Sequence, residues 1–179
     1  MKKIGVLSLI VLVCSVGLLA WGDDVVTLTA RLMGLNEVPP INTAATGSFK
    51  ATIESNGSIT FTETYKDLTA NPTVSHIHFG PSRVAGGVMI FLCGGGNQPS
   101  CPAAKSGTIT GTIVAANVTG PTGQGVSPGD LDSALRLVRR GSGYVNLHTS
   151  TFPAGEIRGQ VVVHHGDDRR GRDEDDDDN

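Results

Sequence analysis

Apolar and polar residues alternate along much of this chain. In residues 25–32, Val26, Leu28, Ala30 and Leu32 alternate with Thr27, Thr29 and Arg31. In residues 48–54, Phe49, Ala51 and Ile53 alternate with Lys50, Thr52 and Glu54. In residues 59–65, Ile59, Phe61, Glu63 and Tyr65 alternate with Thr60, Thr62 and Thr64. A period of two with β-branched enrichment predicts strands that have one covered face. Asn56-Gly57 between the second and third runs predicts a tight hairpin, because both residues accept positive φ. Residues 74–79, 88–92, 107–115, 144–149 and 156–163 bring the expectation to about eight strands, with Gly and Pro in the gaps. The expected fold is all-β: an immunoglobulin-like or Greek-key sandwich or barrel with one short helix.

That helix follows a different period. Leu131, Ala134, Leu135 and Val138 fall at i, i+3, i+4 and i+7, which places them on one stripe. Ser127-Pro128 is expected to open it, with Asp130 and Asp132 in the first turn and Gly141 closing it. Arg136, Arg139 and Arg140 fall at the C-terminal end, where positive charge complements the helix dipole.

The two ends of the chain read differently from the middle. Lys2 and Lys3 precede an apolar run over residues 4–19, and small residues follow at Ala20 and Gly22. This order predicts a secretory signal over residues 1–20, cut after Ala20 or Gly22 and carrying Cys14 away with it. The run is shorter than the ~20 residues that span a bilayer. From His164 the chain reads as a disordered acidic tail over residues 164–179, with too little apolar area to offset ordering. The whole chain has 14 basic and 17 acidic side chains. The leader holds two of the basic ones, and the tail holds three basic and eight acidic ones, so the body over residues 21–163 balances at nine against nine. A neutral body argues against nucleic acid as a partner, and it offers no basic patch to a membrane once the leader is gone. The expected location is secreted, periplasmic or at the cell surface. Cys93 and Cys101 remain as an even pair, and in an oxidising compartment they predict a disulfide around the Gly-rich segment 94–100.

The candidate chemistry rests on histidine. His76 and His78 are two apart on a predicted strand and share one face, with Ile77 and Phe79 on the other. On the strand 144–149, Val145 and Leu147 point to the core, so Asn146 and His148 face outward. Glu156 and Arg158 share the outward face of the last strand, which a short connection pairs with 144–149, near His148. Two readings stay open. In one, His76, His78, His148 and Glu156 hold copper or zinc. In the other, the histidines with Asn146, Glu156 and Arg158 form a polar network that fixes strand register.

Five segments in order resemble the CHRD domain, known from chordin and from bacterial exported proteins. They are Leu35-Asn36-Glu37-Val38-Pro39-Pro40 with Thr43-Ala44-Ala45-Thr46-Gly47, then Ser75-His76-Ile77-His78-Phe79-Gly80-Pro81, then Gly120-Pro121-Thr122-Gly123-Gln124-Gly125, then Tyr144-Val145-Asn146-Leu147-His148-Thr149, and last Phe152-Pro153-Ala154-Gly155-Glu156-Ile157-Arg158-Gly159-Gln160. The resemblance covers nearly the whole body. It implies an immunoglobulin-like barrel or sandwich and a non-enzymatic binding or structural role toward an unknown extracellular or cell-surface ligand. Growth-factor sequestration by chordin belongs to cysteine-rich modules, which this chain lacks, so that activity does not carry over. The arrangement of strand His-x-His, Gly-rich loop, disulfide and later strand histidine is also similar to copper-zinc superoxide dismutases. A zinc loop rich in His and Asp is missing here, so a dismutase-like redox enzyme ranks below simple metal binding, itself the alternative to the non-enzymatic role.

Overall fold

The structure is a computed structural model that describes residues 26–54 and 57–165. The predicted leader, residue Asn56 of the hairpin, and the acidic segment after His165 lie outside the described residues. The strands are β1 (Val26–Met33), β2 (Thr46–Ile53), β3 (Ile59–Lys66), β4 (Pro72–Phe79), β5 (Gly87–Cys93), β6 (Gly107–Ile113), β7 (Gly143–Thr149), β8 (Ile157–Gln160) and β9 (Val162–His165). One helix, α1 (Leu131–Arg139), precedes β7.

All ladders are antiparallel and form one sheet in the order β5-β4-β7-β8-β1-β2-β3-β6, with β9 also paired to β1. The end strands β5 and β6 approach each other, so the sheet curls into a nearly closed barrel. Of the two expected architectures, the barrel is the one found.

The barrel interior follows from the alternation. On β3, residues 59, 61, 63 and 65 are buried while their neighbours are exposed. Leu32, Phe49, Ile59, Ile77, Leu92 and Leu147 fill the interior, and each contributes about 1.5–3 kcal/mol by leaving water. Glu63 sits among them with no exposed surface.

The structure differs from the expectation in four places. The last strand is interrupted at Val161, so residues 156–163 become β8 and β9. The run Val161-Val162-Val163 is apolar throughout, and a period of two cannot show a break inside it. β9 then reaches His165, two residues past the expected end of the body, with His164 Nε2 2.9 Å from Thr29 Oγ1. Helix α1 starts later than expected because Gly129 adopts φ 82° and Asp130 takes the cap, its carboxylate accepting from Ser133 N–H at 3.0 Å. The fourth difference bears on function: every residue of β7 is buried, so both of its faces are covered.

The cover consists of loops that descend onto the outer face of β4, β7 and β8. Arg158 Nη2 donates to the carbonyls of Pro81 and Val84, at 3.1 and 2.9 Å. Asn36, in a 3-10 turn after β1, donates to the Arg158 carbonyl at 3.1 Å. Cys93 and Cys101 form the predicted disulfide, with Cα atoms 5.0 Å apart. The loop it closes lies against Phe91 so tightly that a Cβ on Gly95 or Gly96 would sit 2.6 Å from the ring.

Candidate metal centre

The register of β4 against β7 assembles the site. His76 pairs with Asn146, His78 with Tyr144 and Val74 with His148. His148 is therefore the diagonal neighbour of His76 on the same face, within reach of an imidazole. The ring centroids of His76 and His148 are 5.0 Å apart, those of His76 and His78 5.2 Å, and those of His78 and His148 5.9 Å. One nitrogen from each ring lies within 4.8 Å of the others.

Backbone carbonyls orient two of the rings. His78 Nδ1 is 3.0 Å from the Gly86 carbonyl, and His148 Nδ1 is 3.0 Å from the Pro153 carbonyl. A carbonyl only accepts, so both Nδ1 atoms carry the proton and both Nε2 atoms present a lone pair. His78 Nε2 is buried and has no hydrogen-bond partner. His148 Nε2 lies 3.3 Å from His76 Nδ1. Locking a ligand's far nitrogen to a carbonyl is how proteins fix metal-binding imidazoles.

The three rings are not on an outward surface, as the alternation predicted: His76, His78 and His148 are 7 %, 8 % and 7 % exposed. The alternation identified the face correctly, but it carries no information on what lies above that face. Burial pushes His76 down to about 3, helped by the neighbouring His148 and His78. Burial also takes His78 down to about 4, against the opposing pull of the Gly86 carbonyl. His148 is lowered too, chiefly by burial and against its bond to Pro153. All three rings are neutral at pH 7, the form that binds metals.

The other expected members are placed as follows. Arg158 is 2 % exposed, and its guanidinium lies 3.4 Å over the Tyr144 ring. The same phenol ring stacks on His78, with centroids 4.8 Å apart and planes 5° from parallel, so Tyr144 is the middle of the stack. Phe91 meets His76 edge-on at 4.4 Å, which places the disulfide loop over the opposite flank of the cluster. Glu156 departs from the expected ligand set. Its Oε1 accepts from Thr43 Oγ1–H and Thr69 N–H, and its Oε2 from Thr69 Oγ1–H and Thr149 Oγ1–H, at 2.8–2.9 Å. Those four donors occupy the carboxylate, so it belongs to the network and stands outside the histidine group. Asn117, in a glycosylation-type triplet with Val118 and Thr119, is buried, and its amide bonds Val114 N–H and the Gly96 carbonyl.

Two acidic residues at this end of the barrel are not singled out by the sequence pattern. Glu37 is buried and accepts from Asn146 Nδ2–H at 3.5 Å. Burial pushes its carboxyl up to about 7, against the pull of Arg158. Glu63, inside the barrel, accepts from Ser75 Oγ–H at 2.7 Å, and burial pushes it up to about 7 as well. Position 63 held a signal, since a carboxylate stood where the alternation called for a core residue. Above Glu37 and Arg158 a cleft of about 490 Å³ opens between the 35–40 and 82–83 loops, with Leu35 70 % exposed at its lip.

One pair in the cluster has the spacing of two ligands on a late first-row metal, while the three nitrogens together spread over as much as 4.8 Å. Tetrahedral bonds of about 2.0–2.1 Å to imidazole place nitrogens about 3.3–3.4 Å apart, the spacing of His76 Nδ1 and His148 Nε2. Imidazole donors without thiolate favour zinc and copper.

A family model matches residues 28–161, and it is that of the CHRD domain. No curated protein matches the chain, and no solved structure does.

Proposed function

The chain belongs to the CHRD domain family, and we propose that this member is an exported metal-binding protein in which His76, His78 and His148 hold one copper or zinc ion. The observation that carries the reading is the paired locking of His78 and His148 onto the carbonyls of Gly86 and Pro153, which leaves both Nε2 lone pairs in the cluster, that of His78 without a partner and that of His148 3.3 Å from His76 Nδ1. A cluster serving only strand register would gain more from pairing those nitrogens than from burying one of them unpartnered. Export is supported by the Lys2-Lys3 start, the apolar run that follows and the Cys93–Cys101 disulfide.

The remaining polar layer has a structural role in this reading. Asn146, Arg158 and Glu156 hold the covering loops, and the loops keep the imidazoles out of water. Metal content tests the function. Purified chain loaded with zinc or copper and then dialysed is expected to retain about one ion, and His148→Ala is expected to lose it. No retained ion, or full retention by His148→Ala, would overturn the reading.

A further inference from the structure

The ligands of the proposed centre are three neutral rings, and the polar layer around them already holds the cation of Arg158. A divalent ion there adds two buried positive charges with no anionic ligand to balance them, an arrangement that desolvation makes costly. The layer has one carboxyl whose hydrogen bonds are unfinished. Glu37 Oε1 and Asn146 Oδ1 are both buried and have no partner. Both lie close to one point: a Cβ on Gly155 would be 2.7 Å from Glu37 Oε1, 2.5 Å from Asn146 Oδ1 and 2.7 Å from Asn146 Nδ2. Two acceptors brought together in this way need a proton between them. A protonated Glu37 Oε1 would be the donor that the orphaned Asn146 Oδ1 needs, beside the Asn146 Nδ2–H that already donates to Glu37 Oε2 at 3.5 Å. Asn146 in turn stands opposite His76 in the β4–β7 ladder, so this carboxyl is one side chain removed from the cluster.

We propose that Glu37 is the counter-charge of the metal centre: it gives up its proton when a divalent ion binds, and the carboxylate left behind balances the ion across Asn146. This rests on the metal-binding reading of the histidine cluster. The exchange balances, with one ion entering, the Glu37 O–H bond breaking and the proton leaving to solvent through the cleft that Glu37 lines. The charged groups facing Glu37 are consistent with it. Arg158 of β8 favours the ionised form, Arg83 lines the same cleft, and the Glu156 carboxylate is occupied by its threonine donors. Burial keeps the proton on in the metal-free chain at mildly acidic pH. Glu37 thus favours divalent over monovalent ions at a site built from neutral ligands.

Calorimetric titration of Zn²⁺ at pH 6, in two buffers of different ionisation enthalpy, counts the protons released. Wild type is expected to release close to one proton per ion more than Glu37→Gln. The variant still binds zinc at the same stoichiometry, about tenfold more weakly. Equal proton release from two chains that both bind zinc would overturn the role of Glu37 and leave the metal site standing. Failure of the wild type to bind zinc would remove both. Infrared difference spectra of the wild type give a check that needs no variant. A protonated-carboxyl band should vanish on zinc addition, and an unchanged band would contradict the proposal.

Discussion

His76 Nδ1 lies 3.3 Å from His148 Nε2, reaching diagonally across neighbouring strands whose residues are 72 apart in the chain. The contact exists because β4 and β7 pair in a register that sets Asn146, rather than His148, directly opposite His76. A slip of one residue would turn either strand's histidines toward the barrel interior and Ile77 or Leu147 toward the loops. The hydrophobic interior therefore fixes the cluster, since Ile77, Val145 and Leu147 are all buried on the other face.

Glu156 separates the network from the ligands. Replacing it with alanine leaves Thr43, Thr69 and Thr149 without their acceptor inside the fold. Glu156→Ala is expected to lose about 3 kcal/mol or more of stability in urea unfolding, the scale for breaking a buried charged hydrogen-bond set. Metal bound per folded chain should stay at the wild-type value. Loss of metal without loss of stability would make Glu156 a ligand after all.

Much of this was legible in the sequence, and the misses at the site have mainly one cause. Periodicity reports which side of a strand a residue takes: it set His76 and His78 on one face of their strand and Asn146 and His148 on one face of theirs, but the pairing of those two strands, which brings the residues together, comes from the structure. The stripe Leu131, Ala134, Leu135 and Val138 likewise gave the helix, of which the last three are buried. What lies over a face depends on where loops settle, and no period encodes that. The burial of the histidines, the cap on Arg158 and the approach of Glu37 to Asn146 all come from loops 34–45, 80–86 and 150–155. Glu156 was assigned by strand alternation, but it stands just before β8, where alternation no longer constrains its side chain.

Glu63 makes the barrel sensitive to pH. Its carboxyl is raised from 4.5 to about 7 in the fold, by burial and against its bond to Ser75. The folded state holds the proton more tightly than the unfolded chain. The associated stability is therefore fully present below pH 4.5 and is lost as pH rises through 7, about 3 kcal/mol in all. Glu63→Gln keeps an acceptor for Ser75 and cannot ionise. Its stability relative to wild type should rise by about 2 kcal/mol between pH 5 and pH 8, a difference from which the histidine cluster cancels. A difference that does not change with pH would contradict a buried, protonated Glu63.

The Cys93–Cys101 disulfide closes a short loop, so its constraint on the unfolded chain is modest. Reduction is expected to lower stability by about 2 kcal/mol. It should also loosen the glycines packed on Phe91, and with them one flank of His76. An unchanged melting temperature under reductant would count against the bond.

X-ray absorption at the zinc or copper edge of the loaded chain tests the central claim most directly. The first shell is expected to contain three imidazole nitrogens at about 2.0–2.1 Å, reduced by one imidazole in His76→Ala. A shell of oxygens alone, or a spectrum identical in wild type and His76→Ala, would contradict it.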